Sequence, residues 1–385
     1  MKKIVYILII IFFVFLSNCK SYDYKIPEKE EKNKEIRVKL KLEDELKISI
    51  NKKSVIMNNI TNKKIKLKWN QKEIKIKHKD KKNYFNDNEF DYDILIYSTS
   101  VEPIKINDRS YFGKIYLIPK QEEIEIINIL PVEKYLISVV PSEMPLSFPL
   151  EALKAQAVIA RTYSYYFIEK YRDKRNFDVD NTVMYQVYNG FNFKFDSNLI
   201  QKLESAVNET KNQIVFFQDK PILAYFHSNS GGKIRSGLEY FGKNSDLPYL
   251  VSKEDPYSIG EKNDKWSYEM QLNTFKNKLG IINDLTNDMF IYNNNGFVDR
   301  FIYGKDIWSS KEIRKKIGYF ELKSERFKIE VNNTNLYFSG IGFGHGVGLS
   351  QYGAKGMADK GYNYLGIIDF YYPGTYIYEK NNNKY

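Results

Sequence analysis

Cysteine is almost missing from this chain: Cys19 stands alone among 385 residues, which excludes an internal disulfide framework. There is no GxxxxGK[ST] loop and no GxGxxG ahead of a helix, so the usual phosphate cradles are absent. No nucleic-acid-binding motif is present either. No apolar run has the length of a comfortable transmembrane helix; the longest, Ile4 to Leu16, falls short. Acidic residues are outnumbered, 48 to 59, giving a formal net charge of +11. What is there in quantity, 43% hydrophobic and 28% charged residues, describes a folded globular chain rather than a disordered one. Its length holds one large domain or two ordinary ones.

The N-terminus reads MKKIVYILIIIFFVFLSNC, a basic start followed by a short apolar stretch, which is the pattern of an export signal over residues 1–18. Leu16-Ser17-Asn18-Cys19 resembles a bacterial lipobox, so Cys19 is the expected lipidation site. A thiol committed to a lipid anchor explains why an exported chain has no second cysteine to pair with it. Residues 19–35 are polar, charged and without periodicity, and read as a tether. The expectation is an exported lipoprotein facing the periplasm or cell wall. Its basic charge suits anionic partners such as phospholipid head groups, wall polymers and carboxylated glycans, and no nucleic acid. The 16% aromatic share suits sugar faces and partner surfaces as well as cores.

From residue 36 to 120 short runs alternate apolar residues with lysine: RVKLKL, LKISI, KIKLKW, EIKIKHK, DILIYST and KIYLIP. Period two predicts half-buried antiparallel strands, a β-rich N-terminal region with no visible chemistry. After Glu122 the texture changes. EIEIINILPVEKYLISVV predicts a strand and then a short helical turn that delivers the chain to Glu143. Ser147 is the candidate N-cap, and Pro149 falls in a first helical turn. LEALKAQAVIARTYSYYFIEKY follows, with a stripe at Leu150, Leu153, Ala157, Ala160, Ser164 and Phe167. Its alanines predict a central, closely covered helix, with Lys154 and Arg161 sharing one face. A hairpin is expected to turn at Gln218 to Pro221. The fold class is α+β: mainly antiparallel sheet, a central Ala-rich helix after the catalytic loop, and the β-rich N-terminal region.

Three segments depart from core-and-surface patterning. PSEMP fixes Glu143 between two prolines, although an unpaired buried carboxylate is costly. FHSNSGG runs a buried strand into His227, hydroxyls and two glycines. GIGFGHGVGLSQYGAKGMA, from Gly340 to Ala358, puts glycine at alternate positions around His345. Glycine weakens strands, so this alternation implies positive φ angles or backbone passing close to something, such as the floor of a groove for an extended polymer.

With the helix EALKAQAVIARTYSYY and the block GFGHGVGLSQYGAKGMADKGYNYLGIIDFYYPGT, these segments resemble the SpoIID/LytB family, in family order from about Glu122 to Gly374. The domain expected to carry that likeness spans residues 121–385, while residues 36–120 and 258–330 lie outside its motifs. The resemblance implies a peptidoglycan lytic transglycosylase, cleaving between N-acetylmuramic acid and N-acetylglucosamine in strands from which an amidase has removed the peptides. It implies Glu143 as the catalytic acid. One carboxyl suffices for such a reaction, because the sugar's own C6 hydroxyl replaces water as nucleophile, whereas ordinary glycosidases use two. The apolar, rigid surroundings expected from Val139, Val140, Met144 and the prolines would raise the Glu143 pKa.

Arg161, Tyr163, His227, Ser228, His345, Gln351 and Tyr352 are the candidate substrate-binding residues; Tyr185 and Tyr188 are further candidates for stacking on sugar. A second reading is a non-catalytic wall protein that binds glycan and enhances an amidase. A third is a metal-dependent hydrolase using His227, His345 and Glu143. Some family members carry cysteines beside the FHSNSGG-like turn; here serine and asparagine take those places, so no metal and no cofactor is expected. The expected partners are peptidoglycan glycan strands, a cell-wall amidase and the membrane through the lipid.

Overall fold

The computed structural model describes residues 35–379 apart from 43–44, 68–70, 192–194 and 243–246, with the backbone of 383–384. The export signal, Cys19 and nearly all of the tether lie outside the described residues. The chain divides into two compact units: the first ends at Ser142 and takes back Asp173–Glu204, and the second comprises Glu143–Arg172 and everything from Ser205 onward. The expected boundary at 120/121 falls instead between two neighbouring strands of one sheet.

In the first unit, Ile36 and Val38 on β1 (Glu35–Lys39), Leu46 and Ile48 on β2 (Glu45–Ser49), and Ile74 and Ile76 on β5 (Glu73–Lys79) are buried, and Lys47 and Lys75 between the last two pairs face outward. Strands β3 (Ser54–Asn58), β4 (Lys63–Lys64), β8 (Ile94–Ser98), β11 (Lys114–Pro119), β12 (Ile124–Pro131) and β13 (Val179–Asp180) join β1 in a seven-stranded sheet, in the order β13-β1-β12-β11-β8-β3-β4. One strand expectation fails where it can be read: of the four described residues of KIKLKW, Lys64 to Leu67, only Lys64 is in a strand, the two-residue β4, and the rest of the run lies outside the described residues. A six-stranded sheet runs β10-β9-β2-β5-β6-β7, with β6 at Lys82–Phe85, β7 at Asn88–Glu89, β9 at Ile104–Ile106 and β10 at Arg109–Tyr111.

After β12 comes a helix of 12 residues, α1 (Val132–Glu143), longer than the expected turn. Residues 173–204 are tied into this unit by side chains and by a short strand. Arg37 clamps Asp178 at 2.7 Å, and β13 (Val179–Asp180) lies parallel to β1. Tyr188 donates to Asn128 at 2.6 Å and stacks near Tyr135 with ring centres 5.0 Å apart. Ser138 of α1 donates to Gly190 O at 2.6 Å. Tyr188 is fully buried, which corrects the idea that it stacks on sugar.

The second unit is organised around α2 (Leu150–Tyr171), which is buried on nearly every face from Ala152 to Ile168. Its small side chains let β14 (Gln213–Phe217), α7 (Gln351–Asp359) and α8 (Tyr364–Tyr371) pack closely against it. The first flanking residue is Pro149, at φ −53° and ψ 148°, with no side-chain cap. Ser147, the expected cap, is exposed. Proline fits there because helix N-termini have no partner for its missing N–H anyway.

The hairpin turns where expected: β14 meets β15 (Lys220–Pro221), and Gln218 and Asp219 between them both have positive φ, the geometry two-residue hairpins favour. Farther along, after β17 (Lys233–Ile234), the short helix α4 (Gly237–Phe241) and β18 (Lys253–Glu254), β19 (Lys265–Gln271), β23 (Phe327–Val331) and β24 (Asn335–Ile341) form one small sheet. β20 (Phe290–Tyr292), β21 (Val298–Tyr303) and β22 (Asp306–Ser309) form another. Helices α5 (Leu272–Leu279) and α6 (Ser310–Ile317) complete this lobe, whose core holds Phe275, Phe301, Phe327 and Phe338. It takes in most of the stretch, 258–330, that no recognised motif covered, and runs on through β24 into the start of the glycine-rich segment.

Candidate active site

Glu143 is the last residue of α1, half-buried, and flanked by the fully buried Val139, Val140 and Met144. Pro141 sits inside the final turn, where it cannot donate to the carbonyl four residues back, while Ser142 Oγ donates to Ser138 O at 2.8 Å. The chain then folds over, with Phe148 N donating to Pro145 O at 3.0 Å. This turn places the Phe148 ring edge-on to Tyr352, 5.1 Å between centres.

Tyr352 is the second residue of α7, and burial pushes its phenol above the usual range. Its amide donates to Ser228 O at 2.9 Å. One residue back, β16 (Phe226–His227) runs parallel to β25 (Leu349–Ser350), so that His227 pairs with Ser350. Thus the three unusual segments meet within one unit, through Phe148, Tyr352 and Ser228. Gln351, almost fully buried, sits between Ser350 and Tyr352 at the start of α7.

The glycines of the third segment serve this convergence. Gly342, Gly344, Gly346 and Gly348 all have positive φ. At Gly344, φ is +111° and an added Cβ would stand 2.7 Å from the His227 Cβ. The close approach implied by the alternation is thus made to the chain's own FHSNSGG turn: Asn229 and Phe343 pair through their backbones, as do Arg235 and Val347.

His227 and His345 lie with ring centres 5.5 Å apart. His227 Nδ1 lies 3.1 Å from Val347 O, and His345 Nδ1 accepts from Val347 N at 3.1 Å. His227 therefore carries its proton on Nδ1, and its buried Nε2 has no partner among the described residues. Burial pushes both imidazoles down, His345 to about 4, with His227 also disfavoured by its neighbour His345. Arg235, Arg314 and Lys311 add to the shift at His345. Both rings are neutral near neutral pH, and act as hydrogen-bonding groups rather than cations.

Beneath the turn lies a polar network that sequence reading missed. Asp255, fully buried, accepts from Ser230 Oγ at 2.6 Å and from Tyr371 Oη at 3.3 Å. Ser230 Oγ also lies 2.6 Å from Ser258 Oγ, and Ser230 N donates to Ser350 Oγ at 3.2 Å. Burial raises the Asp255 carboxyl above its usual range. Its members come from distant segments, each an ordinary polar residue in its own context. A cleft of about 230 Å³ opens beside Arg235 and Arg326; Glu239, Asp299 and Glu325 balance Lys233 and these arginines around it.

Two expected substrate contacts are corrected. Arg161 is fully buried, and its guanidinium donates to Val207 O at 3.2 Å, Gln213 O at 3.4 Å and Thr210 Oγ at 3.5 Å. It ties α2 to the end of α3 (Ser197–Asn208) and does not face solvent. Tyr163 is 4% exposed and packs among Phe167, Tyr225 and Phe226, behind the strand that carries His227. Tyr185 is engaged by Arg175 at 3.2 Å.

Residues 120–217 match the family model described as SpoIID, stage II sporulation protein. An uncharacterised protein of Brachyspira hyodysenteriae is 34% identical over 72% of this chain and 74% of its own length. Stage II sporulation protein D of Bacillus amyloliquefaciens is 33% identical over 66% of this chain and 76% of its own. The amidase enhancer of Bacillus subtilis is 30% identical over 62% of this chain and 39% of its own.

Proposed function

The chain belongs to the SpoIID/LytB family of stage II sporulation proteins, and on that premise we propose that it is an exported lytic transglycosylase of peptide-denuded peptidoglycan strands, with Glu143 as its single acid and base. Membership supports a cell-wall-related role; the reaction is our reading. What carries it is the position of Glu143, in an intact PSEMP at a helix end whose following turn reaches Tyr352 and, through it, the His227 strand.

In this mechanism the Glu143 carboxyl protonates the glycosidic oxygen between N-acetylmuramic acid and N-acetylglucosamine, and the C1–O bond breaks. The carboxylate then takes the proton of the muramic C6 hydroxyl, whose oxygen closes on C1 to give the 1,6-anhydro end. Water is not consumed. The His227 Nε2 lone pair accepts from an acetamido N–H or a hydroxyl, and Ser228, Gln351 and Tyr352 contribute further hydrogen bonds. The signal exports the chain, and a lipid on Cys19 holds it at a membrane surface.

The similarity to an amidase enhancer favours a second reading, a glycan-binding protein that stimulates a cell-wall amidase without cleaving. Digestion of denuded strands, followed by mass spectrometry, separates the two. Anhydro-muramic ends mean transglycosylase, and intact strands mean a binder. Glu143→Gln is expected to abolish cleavage and spare glycan binding; anhydro ends still accumulating in that variant would sink the mechanism.

A further inference from the structure

Phe320 is 77% exposed, on the loop that leaves α6. Single exposed apolar residues are common and need no explanation. The unusual feature is how firmly this one is presented. Arg314, itself 7% exposed, donates from Nε to Leu322 O at 2.6 Å and from Nη2 to Lys323 O at 2.8 Å. Its guanidinium covers the Tyr319 ring at 4.8 Å, and Leu322 N returns to Gly318 O at 3.1 Å. Leu322 is fully buried. A loop anchored at both sides of Phe320 therefore holds the ring in water, with no apolar cover over most of it.

The ring also has a direction. It meets Phe343 edge-on at 6.2 Å. Phe343 belongs to the glycine-rich segment, two residues before His345, and Gly344 N donates to Lys323 O at 2.9 Å. Lys323 Nζ lies 5.9 Å from the Phe343 ring centre and is held by Asn263 Oδ1 at 2.8 Å. Two aromatic rings, an ammonium and an amide thus line the edge of the segment that carries His345. Aromatic faces attract the C–H edge of a pyranose, and a few placed polar groups then fix its orientation.

We propose that Phe320, Phe343, Lys323 and Asn263 form an additional sugar subsite, contributed largely by the lobe outside the family motifs, which takes a carboxylated amino sugar of the same glycan strand. The ring of Phe320 stacks on the sugar face. Lys323 pairs with the carboxylate, and Asn263 bonds the acetamido group. The subsite rests on the glycan reading above, and lengthens the strand that the protein grips.

The test uses the full chain and purified denuded strands of several lengths. Phe320→Ala is expected to weaken affinity for long strands roughly five- to tenfold, with Phe320→Trp retaining it. Thermal stability should not change, since the ring is exposed. Lys323→Met should weaken binding of muramic-containing strands and leave oligomers of N-acetylglucosamine alone unaffected. Unchanged long-strand affinity in Phe320→Ala would overturn the subsite and leave the glycan reading intact. Loss of binding confined to anionic phospholipid vesicles would overturn it in favour of a lipid surface. A wild-type chain that binds no strand of any length would overturn the glycan reading itself, and the subsite with it.

Discussion

His227 and His345 take opposite roles at a single residue: the imidazole of His227 donates to the Val347 carbonyl, and that of His345 accepts from the Val347 amide. The backbone of one residue thereby sets both tautomers. The Nδ1–H of His227 leaves a buried lone pair on its far nitrogen, while His345 has its far nitrogen left to donate.

Acid should loosen this arrangement. His345 sits at about 4 in the folded chain, against about 6.5 for a free imidazole. Between those values the unfolded chain binds more protons, so the contribution is complete above the unfolded pKa and is lost as the pH falls toward 4. His227 is shifted in the same direction, by burial and by its neighbour His345. Asp255 works oppositely, since its raised carboxyl favours folding in acid. The expected outcome is a melting temperature that drops between neutral pH and pH ~4, less steeply in His345→Gln. A steeper drop in the variant would contradict the assignment.

Arg161→Met should cost on the order of 3 kcal/mol in denaturant unfolding, because carbonyls of Val207 and Gln213 lose a buried donor. Glycan affinity per folded molecule should stay unchanged. A variant that folds normally but loses glycan would restore the substrate role that burial argues against.

Gly344→Ala combines a left-handed backbone with a methyl placed 2.7 Å from the His227 Cβ. Strain and overpacking together predict a loss of about 2–4 kcal/mol. The histidine ring signals in proton NMR should shift as well, since the clash falls on that residue.

How much of this was legible follows the physics of each part. Lysine alternating with Ile, Val and Leu marked β2 and β5 to within a residue, and β1 with its ends two and three residues off, because burial on one face imposes period two directly. KIKLKW has the same texture, yet among its described residues only Lys64 is in a strand, paired with Met57 of β3, so alternation alone does not set how far a strand runs. The alanines of α2 marked a covered helix, and the seven-residue spacing of Lys154 and Arg161 put them on one face, from which Arg161 was expected to reach substrate. Lys154 does reach Glu151 at 2.8 Å and Glu209 at 2.7 Å, while Arg161 is swallowed. Sequence spacing sets the face, and what covers that face is set by distant chain. The Asp255 network was invisible for the same reason.

Cys19→Ala should move the protein from the membrane to the soluble fraction after cell fractionation if the anchor is the lipid on that thiol. Retention at the membrane would point to an uncleaved leader instead.

The return of Asp173–Glu204 to the first unit has a consequence for biosynthesis. Asp178, Gln186 and Tyr188 reach the ribosome exit only after the whole of α2, which belongs to the other unit. The N-terminal sheets therefore wait, incomplete, while a helix of foreign allegiance passes. Neither unit can be cut free at a single peptide bond, so a fragment ending at residue 142 should be a far poorer folder than its strand content suggests.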